Sequence, residues 1–161
     1  MESRNIPKSA DKRKAWSQIA QKIHYGHEVK LINALWDALI ENREYSKLSP
    51  NGSYFYYELN AAGKRKSEKE RGTTGLIPDV SNSVAEAVKQ LDDHGFREFT
   101  LDVSYNGIEG KWTASCRIRN LLATEKRGNR DITIASAIAK AMAVNMAGDE
   151  APNLKWGGDH A

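Results

Sequence analysis

Two runs of strict alternation around an Asn/Gly loop constrain this chain more than any other feature. Phe99, Leu101, Val103 and Tyr105 recur at every second position, as do Trp112, Ala114, Cys116 and Ile118, with Asn106-Gly107-Ile108-Glu109-Gly110 between them. Successive side chains of a strand point to opposite faces, so this period means one buried and one open face. Two such runs joined by a short Asn/Gly loop form a β-hairpin. Phe99, Leu101, Val103, Trp112, Ala114, Cys116 and Ile118 are expected on its buried face, and Lys111, Thr113, Ser115, Arg117 and Arg119 on its polar face. A lone hairpin is marginal in water, so it must pack against something. The flanking sequence supplies helices. Ser83-Val84-Ala85-Glu86 has capping-box form, Val84, Val88 and Leu91 make a stripe, and Gly95 suits the position after the helix. After a short third strand around Leu121-Leu122, an alanine-rich helix from Asp131 to Ala147 brings Ile134, Ile138 and Met142. The expected fold class is α+β: a small antiparallel sheet flanked by helices, in the order α-β-β-(β)-α.

An N-terminal helical hairpin precedes this unit. Trp16, Ile19, Ala20 and Ile23 share one helical face behind a cap at Ser9 or Asp11, and Gly26 ends that helix. Val29, Ile32, Leu35, Trp36, Leu39 and Ile40 stripe a second helix over 27–44, which stops before the turn Ser49-Pro50-Asn51-Gly52. Residues 54–59 (Tyr-Phe-Tyr-Tyr-Glu-Leu) read as a strand. Residues 60–75 hold almost nothing that could enter a core and are expected to be a mobile basic loop. The expected organisation is 1–59 (helices plus one strand), 60–75 (loop), 76–148 (α/β sandwich) and 149–161 (tail).

Pro78-x-x-Ser81, Ala87-x-x-x-Leu91, Phe99-x-Leu101, Gly110-x-Trp112-x-Ala114 and the Ala/Ile-rich closing helix resemble the phage ABA-sandwich domain. That family consists of small bacteriophage and prophage proteins in which helices pack on both sides of a small sheet, and the resemblance covers residues 76–147. The family generally has no established activity, and some phage proteins of similar architecture look like sponges for nucleotide second messengers of bacterial immunity. The expected role is a non-enzymatic accessory protein acting by stoichiometric binding in counter-defence. Such a protein would be an anti-CRISPR-like inhibitor of a host defence protein, or a sponge for a nucleotide signal.

Composition narrows the remaining classes. The single cysteine, Cys116, excludes an intramolecular disulfide and a multi-cysteine zinc site. The longest apolar run, Ile132 to Ala147, is interrupted by Thr133, Ser136, Lys140 and Asn145 and is too short to span a bilayer. No apolar segment follows Met1-Glu2-Ser3-Arg4, so a cytoplasmic location is expected, the host cytosol for a phage protein. No Walker loop, G-x-S-x-G, H-E-x-x-H or kinase signature is present, and an uncharacterised enzyme ranks last among the readings. No cofactor or metal is expected: His24 and His27 are three apart, but Gly26 falls between them.

The net charge of +3 is compatible with an anionic partner without requiring one. Lys126, Arg127, Gly128, Asn129 and Arg130 directly precede a helix start, where free N–H groups and the helix dipole favour phosphate. Lys64, Arg65, Lys66, Lys69 and Arg71 form a second cationic segment suited to phosphates. Lys111, Arg117 and Arg119 on the hairpin, with Tyr54 and Tyr56 as stacking platforms, complete the candidate surface. A nucleic-acid-binding protein is therefore the alternative reading. The apolar stripe of helix 27–44 suggests a homodimer built around it.

Overall fold

The computed structural model describes residues 6–40, 43–48, 53–59, 65–72, 79–154 and 158–159. The elements run α1 (Ala10–His24), α2 (Val29–Ile40), β1 (Arg43–Leu48), β2 (Ser53–Leu59), β3 (Arg65–Gly72), α3 (Val84–Asp93), β4 (Thr100–Asn106), β5 (Lys111–Ile118), β6 (Leu121–Arg127), α4 (Arg130–Ala147) and β7 (Gly158–Asp159). The α+β class and the two N-terminal helices are as expected. The division of the chain is not. One compact unit combines residues 1–27 with 79–161, and the other is residues 28–78.

Local chemistry explains the helix ends. Ser9, Ser83 and Asn129 cap α1, α3 and α4, each side chain accepting a backbone N–H from the first turn (Lys12, Glu86 and Ile132). The reciprocal half of the expected capping box is replaced, because the Ser83 N–H donates to the Asp79 carbonyl. Gly26 and Gly95 end α1 and α3 with φ of 71° and 82°, a region that side chains with a Cβ resist. At each, two backbone N–H groups fold back onto the last turn, His27 to Lys22 with Gly26 to Ile23, and Phe96 to Leu91 with Gly95 to Asp92.

In the larger unit β4, β5, β6 and β7 form one sheet in that order, with β7 parallel to β6 and the other pairs antiparallel. Helix α4 packs against β5 and β6, and α1 and α3 pack against α4. Enclosed by these neighbours, α4 is buried over nearly its whole circumference from Thr133 to Ala147. This accounts for its alanines: a helix apolar all round belongs inside, and small side chains let several elements approach it. The stripe Trp16, Ile19, Ala20 and Ile23 is buried, and α1 meets α4 within this unit.

The strand phase holds across the hairpin, since the register sets Leu101 opposite Cys116, Val103 opposite Ala114 and Tyr105 opposite Trp112. Burial departs from expectation on β4. Ala114, Cys116 and Ile118 are buried, Phe99 and Trp112 are half-buried, but Leu101 and Val103 are 36% and 40% exposed. The cause is position: β4 is the sheet edge, beyond the strands that α4 covers. Leu91, Ile138 and Met142 enter the core, while Val84 and Ile134 are half-buried and Val88 is exposed.

The smaller unit holds α2 and a three-stranded antiparallel sheet, β1-β2-β3, with α2 packed on β1. Two expectations fail here. Helix 27–44 stops at Ile40, and Arg43–Leu48 is a strand. Residues 65–72 are likewise strand β3 rather than loop. Backbone hydrogen bonding to β2 does not require apolar side chains, and a charged edge strand is an ordinary way to finish a sheet. Lys64, the rest of 60–75 and the Ser49–Gly52 turn lie outside the described residues. Ile32, Trp36 and Ala38 are buried within a single chain. The other described members of the α2 stripe, Val29, Leu35 and Leu39, are half-buried.

Candidate functional site

The segment before α4 assembles differently from an anion cradle. Lys126 meets Glu109 at 2.6 Å. Arg127 turns inward, donating from Nε and Nη2 to Glu125 Oε1 at 3.0 and 2.6 Å and from Nη2 to the Ile23 carbonyl at 3.0 Å. Arg130 pairs with Asp131 at 3.1 Å on the surface, and its guanidinium lies 6.0 Å from the Trp112 ring centre. Gly128 is exposed. The Asn129 side chain takes the Ile132 N–H, and its carbonyl takes the Thr133 hydroxyl. Asn129 and Asp131 thus supply to the helix start what a bound anion would supply.

Sequence reasoning missed the charge cluster behind this segment. Glu125 is fully buried between two cations, Arg127 on Oε1 and Lys140 on Oε2. The Lys140 ammonium also donates to the Thr124 carbonyl at 2.6 Å and to His24 Nδ1 at 3.1 Å, so all three of its protons are placed. His24 therefore accepts at Nδ1 and carries its own proton on Nε2. Burial holds the Lys140 ammonium below the usual lysine range, while the adjacent Glu125 carboxylate pulls the other way. A lone lysine inside an alanine/isoleucine run was the available signal, because such a cation needs a buried anion. With Lys140 only 3% exposed, the cluster fastens α1, β6 and α4 together rather than facing a substrate.

The sheet face away from α4 is another candidate surface. Its cross-strand rows are Thr100–Arg117–Leu122, Asp102–Ser115–Thr124, Ser104–Thr113–Lys126 and Asn106–Lys111. Every residue in these rows is exposed or half-buried. Hydroxyls occupy the centre, where Ser115 and Thr124 meet at 3.0 Å. Lys111, Arg117 and Lys126 are the cations of these rows and Asp102 a carboxylate, while the register sets Asp159 beside Lys126, which also pairs with Glu109. Arg119 does not join them: it sits in the β5–β6 turn at φ 57°, its guanidinium 5.0 Å from the Phe96 ring centre. The rows contain no aromatic residue. Tyr105 and Trp112 belong to the opposite face, with ring centres 4.7 Å apart.

A solvent-open hollow of about 630 Å³ lies between the starts of α3 and α4, lined by Ser83, Val84, Val103, Arg130, Asp131 and Ile134 among others. Cys116 is enclosed, and burial pushes its thiol up to about 12, far from nucleophilic use. His24 is buried in the cluster and His27 is exposed beyond Gly26, so the pair does not converge.

In the smaller unit the register brings together residues that the sequence left far apart. Tyr54 pairs with Arg71 and Tyr56 with Lys69, whereas Phe55 pairs with Glu70 and Tyr57 with Glu68. One set of alternate positions thus carries tyrosines and cations, the other aromatics and carboxylates. Arg65 pairs with Leu59, and Lys66 follows it on the same strand. No protein-family model matches the chain, and no curated protein shows significant similarity to it.

Proposed function

We propose that this is a non-enzymatic protein that binds a macromolecular partner stoichiometrically on the outer face of the β4–β6 sheet. The observation that carries the reading is the set of largely polar rows on that face, none of whose residues is buried. Hydroxyls on the central strand offer hydrogen bonds, and Lys111 and Arg117 suit an acidic protein surface. Base stacking finds no support on this face, because its aromatics lie on the other side. A stoichiometric inhibitor of a host defence protein fits this chemistry. Immobilised protein should capture a partner from cognate host extract, identified by mass spectrometry, and the double variant Lys111→Glu/Arg117→Glu should lose it. Capture of the same partner by the double variant would remove this face from the reading.

A second reading rests on the smaller unit. Tyrosines paired in register with cations are what single-stranded nucleic acid uses, a stacking platform beside a phosphate contact. It requires binding of a single-stranded oligonucleotide that weakens steeply with salt and falls on Tyr54→Ala and Lys69→Ala. Binding to acidic protein should fall less steeply with salt.

A further inference from the structure

We infer that the free edge of β4 pairs with β4 of a second copy, joining two sheets into one through a dyad at Val103. Among the described residues β4 is the terminal strand of its sheet, and all seven of its residues are exposed. Its register with β5 runs through seven consecutive pairs without a bulge. Sheet edges in soluble proteins are normally blunted by lysine, proline, bulges or an overlying element. Thr-Leu-Asp-Val-Ser-Tyr-Asn contains neither lysine nor proline, and Asp102 is its one charge. The helix-side positions of this edge are apolar and uncovered: Leu101, Val103 and Tyr105 are 36%, 40% and 54% exposed. Val103 also shares a hollow with Val84 and Ile134, so the apolar surface continues from strand to helices. Exposed apolar surface of this continuity marks an interface.

The strand's own pattern selects the occupant. In an antiparallel pair, residues directly opposite lie on the same face, so a two-fold axis through one residue fixes every pairing. An axis at Val103 uses all seven residues. It sets Val103 against itself, Leu101 against Tyr105, Asp102 against Ser104 and Thr100 against Asn106 of the other copy. Apolar meets apolar on the helix side, polar meets polar on the other, and the carboxylates stay apart. An axis at Asp102 would oppose two carboxylates, and one at Ser104 would shorten the overlap and leave Leu101 unpaired. The product is a continuous sheet with two outer faces side by side, which doubles the binding surface proposed above without depending on it.

Sedimentation equilibrium of the full chain at micromolar concentration should show a dimer. Val103→Lys sets two ammonium groups at the axis and should lower the association constant roughly tenfold or more. Leu101→Lys and Tyr105→Glu should each weaken the dimer. The double variant should recover, because the ammonium introduced on one copy then faces the carboxylate introduced on the other. All three positions are exposed, and far-UV circular dichroism verifies that each variant keeps its fold. A monomer throughout, a dimer indifferent to Val103→Lys, or a double variant no better than the weaker single would each overturn the pairing.

Discussion

Replacing Lys140 by Met removes one cation from a carboxylate that has no access to water. Glu125 is fully buried, and Lys140 supplies its Oε2 with a hydrogen bond and a charge. Methionine nearly matches the lysine stem in volume, so the cavity term is small and the electrostatic term dominates. Stripping one partner from a buried pair costs about 3–5 kcal/mol, because the survivor is left uncompensated. Arg127 still holds Oε1, which places this variant near about 3 kcal/mol. Urea unfolding followed by tryptophan fluorescence should show a lower midpoint at unchanged slope. Glu125→Gln/Lys140→Met removes both charges yet leaves an oxygen for Arg127, and should cost less than the summed singles by at least about 1 kcal/mol. The pH dependence supplies an independent sign. Folded Lys140 has its pKa below the ordinary 10.5, so between the folded value and 10.5 the unfolded chain binds more protons. Wild-type stability should therefore rise with pH across that window relative to Lys140→Met. Cys116 opposes this trend equally in both proteins and cancels in the difference. A Lys140→Met variant within about 1 kcal/mol of wild type, or strict additivity in the double, would refute a coupled buried pair.

Two further outcomes follow from individual residues. Cys116, with its thiol raised to about 12, should resist a disulfide reagent at mildly alkaline pH until the chain unfolds; stoichiometric labelling of native protein within minutes would contradict its enclosure. Asn129→Ala should cost about 1 kcal/mol in urea unfolding by freeing the Ile132 N–H, while Asn129→Asp, which retains the acceptor, should cost less.

The hairpin, the α3 cap and the closing helix were legible because each is written in local spacing. Period-two alternation located β4 and β5, and Ser83 with Gly95 bracketed α3. Burial on β4 was not legible, since alternation reports which face a side chain joins but not whether a helix reaches that far across the sheet. Strand β3 was missed for a related reason: its residues have no apolar period, and their pairing with β2 is a property of the partner strand. The same limit hid the cluster around Glu125. Its members lie at 24, 125, 127 and 140, and nothing local relates His24 to a lysine 116 residues later. The Tyr54–Arg71 and Tyr56–Lys69 pairs had the right residue types in the sequence, but only the register joins them.

The placement of α1 carries the strongest consequence for the chain's organisation. Read from sequence, residues 76–148 form an α/β sandwich unit, and the helix carrying Trp16 and Ile23 belongs to a separate N-terminal region. The fold requires otherwise. Trp16, Ile19, Ala20 and Ile23, each at most 3% exposed, belong to the helix that packs along α4. The Ile23 carbonyl and His24 Nδ1 also accept hydrogen bonds from Arg127 and Lys140. Burying a large apolar side chain contributes roughly 1.5–3 kcal/mol, so the three large residues alone contribute about 5–9 kcal/mol. That equals much of the total stability of an ordinary domain, about 5–15 kcal/mol. Fragment 76–161 should accordingly lack a cooperative urea transition and bind a dye specific for exposed apolar surface. A peptide of residues 6–27 added in trans should restore the transition, and the peptide carrying Trp16→Ala and Ile23→Ala should not. A cooperative transition of the bare fragment near that of the full chain would show that α1 is an appendage rather than part of the core.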